Sequence, residues 1–209
     1  GLMASGLLNV VGEHMNGLQM AGIANITASK LNGVQIALCN YATQARGLQI
    51  GLVNYYKENM KGFQLGLVNA NPDTRVQMMV YGGNATPANI GVRFKNQLFY
   101  TILGIGSMYQ GLNDKFSASA SYRAGLSFTL YKGLSISGDL GYQHIEAFDN
   151  KDEVIPKRLY ALQARANLEY QFTRKFGIFA TGGYGLTRFY NKSSNYDKGA
   201  IIEAGIVLF

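Results

Sequence analysis

Two side chains capable of acid–base chemistry stand two residues apart, His144 and Glu146, near the end of a long alternating stretch. A His beside a carboxylate can take up and return a proton, and with a nucleophile it would make a hydrolase. The pair shares one face of an extended strand. No Ser lies on that face near enough to be nominated as nucleophile, and an interfacial His beside lipid headgroups is the plainer reading. His14 stands alone in a repeat connector and reads as a surface residue. Cys39 is the single cysteine, so no intrachain disulfide forms, and its apolar surroundings predict a buried, inert thiol. With two His, one Cys and no HxxxH or CxxC spacing, neither a structural zinc nor a catalytic metal is expected. Gly82–Gly83 and Gly182–Gly183 lack the strand–GxGxxG–helix context of a phosphate cradle and read as points of strand bending. No cofactor is implied.

The other chemistry-bearing residues are charges set into long strands. Residues 158–172, RLYALQARANLEYQF, alternate between an apolar face (Tyr160, Leu162, Ala164, Ala166, Leu168, Tyr170, Phe172) and a polar face that carries Arg165 and Glu169. Aromatics at both ends of a long apolar face, with charges behind it, are the pattern of a transmembrane barrel strand with a polar lumen. Neighbouring stretches repeat it. Arg93, Arg123 and Arg165 point inward with Asp139, Glu169 and Glu203, three cations against three anions, which predicts a paired and hydrogen-bonded plug. A proton or ion path is the functional alternative, disfavoured because a small barrel's interior is filled by side chains. Tyr122, Phe128, Tyr142, Tyr160, Tyr170, Phe172 and Tyr184 are the candidate aromatic girdle.

Composition agrees. The 209 residues include 26 Gly, 14 Tyr and 11 Phe, no Trp and only 15% charged residues, a bias toward a β-rich wall. No run of about 18 apolar residues exists, so no transmembrane helix is expected. The net charge of +7 is scattered, without a basic cluster interleaved with aromatics. Anionic lipid headgroups suit it better than nucleic acid, which is not expected as a partner.

Residues 1–74 hold copies of one pattern, closing at Asn9, Asn25, Asn40, Asn54 and Asn69, with a degenerate sixth copy at Asn84. A recurrent period of about 15 residues means that each unit stacks on or pairs with the next. Gly always opens and Asn always closes, which favours parallel stacking into a β-solenoid. In that reading Leu18, Val34, Leu48 and Phe63 form one interior ladder, Met15, Leu31, Ala45 and Met60 another, and Gln19, Gln35, Gln49 and Gln64 stack with the Asn residues as amide ladders. The alternative makes each repeat a membrane strand, giving about fourteen strands in all and a lumen that encloses water. Gly1 falls in the middle of a repeat, so an incomplete or processed N-terminus is expected.

The GLQIGLVN-type units resemble a surface-repeat family of Gram-negative outer-membrane proteins, in which such repeats precede a C-terminal barrel-like region. The resemblance covers about residues 1–84 and implies location; it carries no site residues across.

From 75 onward eight strands are expected, at 75–83, 88–95, 97–109, 116–131, 133–146, 158–172, 175–190 and 199–209. The fold expectation is therefore all-β: an antiparallel transmembrane barrel of about eight strands (75–209) behind a β-repeat region (1–74). Alternately tight and long connections put the tight turns in the periplasm and the long ones outside. The terminal Ile-Val-Leu-Phe resembles the aromatic C-terminal signal of outer-membrane barrels, although its parity turns Phe209 inward unless a bulge intervenes. The location expected is the outer membrane of a Gram-negative bacterium, with the repeats periplasmic or within the barrel. The function expected is non-enzymatic: a structural or binding subunit whose partners are lipid and other envelope proteins, through 147–157 or the repeats. A porin-like transporter and a membrane-embedded hydrolase are the alternatives.

Overall fold

A computed structural model describes residues 1–107, 116–148, 158–190 and 195–208. The chain falls into two compact units, Gly1–Arg75 and Val76–Phe209.

The first unit is built from β1 (Leu2–Ser5), β2 (Leu8–Val11), β3 (His14–Ala21), β4 (Ala24–Ile36), β5 (Cys39–Ile50), β6 (Val53–Leu65) and β7 (Val68–Ala70). Every pairing is parallel and joins equivalent residues of successive repeats, as in Gln19↔Gln35↔Gln49↔Gln64 and Asn25↔Asn40↔Asn54↔Asn69. This is a solenoid-like stack, one repeat per coil. Gly opens each coil for a steric reason. Gly17, Gly33, Gly47 and Gly62 have φ between 124° and 145°, and a Cβ on any of the last three would lie 1.8–2.0 Å from the carbonyl oxygen of the Gly one coil back.

The coil interior is polar. Gln19, Gln35 and Gln49 are fully buried, as are Asn25 and Asn54. Gln35, Gln49 and Gln64 each donate from Nε2 to the Oε1 of the Gln one coil back at 2.8–2.9 Å. Asn9, Asn25, Asn40 and Asn54 each donate from Nδ2 both to the next Asn Oδ1, at 2.9–3.0 Å, and to a backbone carbonyl where the next coil turns: Met20, Ile36, Ile50 or Leu65, at 2.8–3.0 Å. A primary amide has two donors and an acceptor, so a stack of amides satisfies itself without water.

That arrangement corrects one expected ladder. Met15, Leu31 and Ala45 are buried, and Met60 packs against them. Leu18, Val34, Leu48 and Phe63 share a register on the side opposite the amides, the first three half-buried and Phe63 69% exposed. Strand alternation lets only one of two adjacent ladders point in, and here the amides take that place. Cys39 is exposed for the same reason, being one residue from inward Asn40. His14 lies within β3 and is exposed.

The second unit is a closed barrel of eight strands: β8 (Arg75–Gly83), β9 (Ala88–Asn96), β10 (Phe99–Ser107), β11 (Ser117–Tyr131), β12 (Leu134–Ala147), β13 (Arg158–Thr173), β14 (Phe176–Phe189) and β15 (Asn195–Leu208). Neighbouring registers are antiparallel. The repeats contribute none of these strands, so the fourteen-strand alternative does not hold, and the wide lumen it implied goes with it. β15 starts four residues earlier than expected, because Asn195 and Asp197 continue the ladder with Arg188 and Thr187 across a register shift. From Asp197 to Leu208 the register runs without a further bulge, so Glu203 stays inward and Leu208 outward. Phe209 lies outside the described residues.

The barrel is inverted relative to a water-soluble protein. Leu140 is 71% exposed and Ile202 67%, while the side chains of Arg123 and Asp139, on the other face, are almost completely enclosed. An apolar outer wall around a charged interior is stable only in hydrocarbon, so the barrel spans a membrane.

Candidate functional site

The barrel interior is layered. Towards the tight turns lie Met79, Tyr81, Tyr100, Ile102, Phe179 and Val207; towards the long connections lie Ile145, Ala147, Leu159 and Ala161, with Phe189 and Tyr196 against them. The six charges read from the sequence reach into the first of these clusters, Arg93 being in register with Ile102 and Glu169 with Phe179.

β9, β11 and β13 each project an Arg into this layer, and β12, β13 and β15 supply the carboxylates. Arg93 grips Glu169 in a fork, Nη1 to Oε2 at 2.6 Å and Nη2 to Oε1 at 3.0 Å, while Gln77 Oε1 accepts from Arg93 Nε and Nη2. Arg123 meets Asp139 in the same way, at 2.8 and 2.7 Å. Arg165 holds Glu203 at 3.1 and 3.3 Å and also donates to Gln163 Oε1 at 2.6 Å. A longer contact of 3.5 Å from Arg123 Nη1 to Glu203 Oε2 links the second pair to the third. Asp139 also accepts from Tyr100 Oη and Asn167 Nδ2, both at 2.8 Å.

Forked, charge-assisted bonds of this kind offset the desolvation of six buried charges, which isolated ions would not survive. The lumen glycines leave the space. A Cβ at Gly141 would lie 2.8 Å from Arg165 Nη1, and one at Gly125 2.8 Å from the Tyr100 ring. The free volume among Arg93, Tyr100, Arg123, Asn167 and Glu169 is about 10 Å³, room for one water at most. Gln77 and Tyr100 went unremarked in the sequence. Tyr100 reads as another girdle aromatic until its parity with Ile102 is known.

His144 and Glu146 project from β12 onto the outer wall near the long connections. His144 Nε2 lies 3.4 Å from Glu146 Oε2, and Glu146 is held by Arg158 Nε at 3.0 and 3.2 Å. His144 Nδ1 bonds the Tyr190 hydroxyl at 2.7 Å, and Tyr190 in turn contacts the Tyr142 hydroxyl. Ala120 and Tyr160 flank His144 on the adjacent strands, so no Ser or Thr hydroxyl stands beside it in register. Arg158 and Tyr190 are partners that sequence reasoning missed. Arg158 is in register with Glu146 across the hairpin, a pairing that strand alignment alone would reveal.

The seven girdle candidates all lie on the outer wall. Tyr142 and Tyr160 stack at 6.2 Å and, with Tyr190, form a cluster at the long-connection end; Tyr122 is in register with Tyr142. Tyr170 and Phe172, with ring centroids 4.9 Å apart, meet Phe176 at the tight-turn end. Phe128, three residues before the end of β11, lies at that end too. Tyr184 is opposite Ala164, between the two clusters, and joins neither. Among the described residues no group of three His, Cys, Asp or Glu side chains could hold a metal ion.

No family model and no curated protein matches the chain. Among solved structures it is similar to the N-terminal β-barrel domain of Pseudomonas aeruginosa OprF, with 16% identity and a TM-score of 0.40 over 64% of this chain and 93% of that one. It is also similar to the Yersinia pestis outer membrane protein Ail, with 14% identity and a TM-score of 0.39 over 65% and 99%. Neisserial surface protein A matches with 8% identity and a TM-score of 0.38 over 64% and 92%.

Proposed function

We propose that this chain is a closed, non-enzymatic outer-membrane barrel of a Gram-negative bacterium, acting as a structural or binding subunit of the envelope. One observation carries the reading: the lumen is crossed by three buried Arg–carboxylate pairs, and the free space beside Arg93, Arg123 and Glu169 is about 10 Å³. A conducting pore needs a continuous water path, and these pairs lie across it. Partners are outer-membrane lipid and other envelope proteins, met through the repeats or the connection 147–157, of which 149–157 lie outside the described residues. The outer-wall cluster of His144, Glu146, Arg158 and Tyr190 suits the headgroup boundary, where aromatic rings and charged tips are both at home. Among the described residues its in-register neighbours, Ala120 and Tyr160, offer no Ser or Thr nucleophile for hydrolysis.

Reconstitution into planar bilayers tests the proposal. The expected record shows no steady ohmic steps from the purified full chain. Reproducible single-channel steps would replace the anchor with a transporter.

A further inference from the structure

The first unit sorts its side chains in a way that its own folding does not require. Residues 1–70 contain six Asp, Glu, Lys or Arg side chains: Glu13, Lys30, Arg46, Lys57, Glu58 and Lys61. All six are exposed, and all lie in the short return segments that lead into the Gly ladder. The two longer legs of every coil, GLQIGLVN and its equivalents, carry none.

Those legs present apolar side chains outward. Leu7, Ile23, Leu38, Leu52 and Leu67 stand one above another at the turn between the legs, each 38–66% exposed. The Leu18-to-Phe63 ladder runs beside them. Exposed apolar side chains thus recur at the same place in five successive coils, and a contiguous apolar surface of this kind marks an interaction or membrane site. The amides that could have faced water are instead used up inside the coil.

We propose that the uncharged legs of this solenoid face the hydrocarbon boundary of a bilayer, with the charged return edge turned to water and lipid headgroups. Two observations favour lipid over a protein partner. Where the legs meet the return segments, Tyr41 and Tyr55 stack with ring centroids 5.8 Å apart, the place of an aromatic belt at a membrane interface. Beyond them the edge carries four cations against two anions, matching anionic headgroups. The barrel wall that follows in this chain likewise turns apolar side chains outward, although the coil interior here joins its amide columns to an apolar cluster of Met15, Leu31, Ala42 and Ala45. The inference rests on the membrane placement of that barrel and extends it to a unit whose strands are not part of the barrel.

Cys39, exposed and the only cysteine, lies on this face and takes a nitroxide label without further mutation. In the full chain reconstituted in liposomes, collision with oxygen and with a water-soluble nickel chelate is read by electron paramagnetic resonance. Lys30→Cys and Leu162→Cys, each with Cys39→Ser, supply the edge and the barrel-wall control; Leu52→Cys with Cys39→Ser gives a second reading of the face. The expected oxygen-to-nickel ratio at Cys39 and Leu52 matches that at Leu162 and is about tenfold above that at Lys30, since a polar chelate is excluded from hydrocarbon. If Leu162 reads as lipid while Cys39 and Leu52 read as water, this inference falls and the barrel's placement stands. If both face positions are shielded from both reagents, a protein covers the face and the inference falls as well. If Leu162 itself reads as water, the membrane placement fails and takes the inference with it.

Discussion

At the scale of single residues, the lumen is a set of obligate pairs. Arg93 and Glu169 are each largely enclosed and face one another in a fork. Arg93→Met removes the cation and leaves a buried carboxylate without it, a change that costs about 3–5 kcal/mol. Replacing both, Arg93→Met with Glu169→Met, removes both charges and their desolvation together. The losses that remain include the orphaned Gln77 amide oxygen, about 1–3 kcal/mol. Urea unfolding of the barrel in lipid vesicles should therefore rank wild type, double variant and single variant in that order of stability. A single variant as stable as the double would mean that the fork contributes nothing. Tyr100 shows how such residues escape notice: it touches Asp139 at 2.8 Å, yet an isolated Tyr in a membrane strand reads as an interface aromatic until its side of the wall is known.

At the scale of elements, the solenoid is held by repetition. Asn40 gives one donor bond to Asn54 Oδ1 and one to the Ile50 carbonyl, and it accepts one from Asn25. Asn40→Leu puts an apolar side chain into this column and leaves polar partners above and below unsatisfied, costing about 1–3 kcal/mol for each buried group so orphaned. Hydrogen exchange should quicken in β4, β5 and β6 while β11 to β15 keep their protection. Loss of protection spread evenly over the chain would contradict it.

The same ladders show what sequence carries and what it does not. The Gln and Asn columns, their period and their parallel stacking follow from residue identity and spacing. Which column points inward does not, because Leu18 and Gln19 alternate equally well in either sense. The expectation that Leu18 is buried borrows the rule of water-soluble proteins, and this unit reverses it. In the barrel, by contrast, the side of the wall was legible, since Arg165 and Glu169 share one parity and Tyr160 to Phe172 the other, and a membrane allows one assignment. The outer-rim partners Arg158 and Tyr190 were not legible. They meet His144 and Glu146 through strand register and ring packing, which spacing along one strand does not encode.

At the scale of the whole molecule, the barrel wall has unequal height. β8 and β9 have nine residues each, whereas β12 has 14 and β13 has 16. At roughly 3.3 Å per residue and a tilt near 45°, nine residues rise about 21 Å and sixteen about 37 Å. The bilayer beside β8 and β9 therefore meets a wall a few Å shorter than the ~25 Å apolar band of a typical barrel. Lipids there must compress or tilt, at a cost of fractions of a kcal/mol per Å. The protein thus acts as a local wedge in bilayer thickness, thin on one flank and full height on the other. Refolding should be more complete in short-chain than in long-chain phosphatidylcholine vesicles, and lengthening the β8–β9 hairpin by two residues on each strand should flatten that preference. A barrel wall shaped in this way gathers shorter or more deformable lipids along one side.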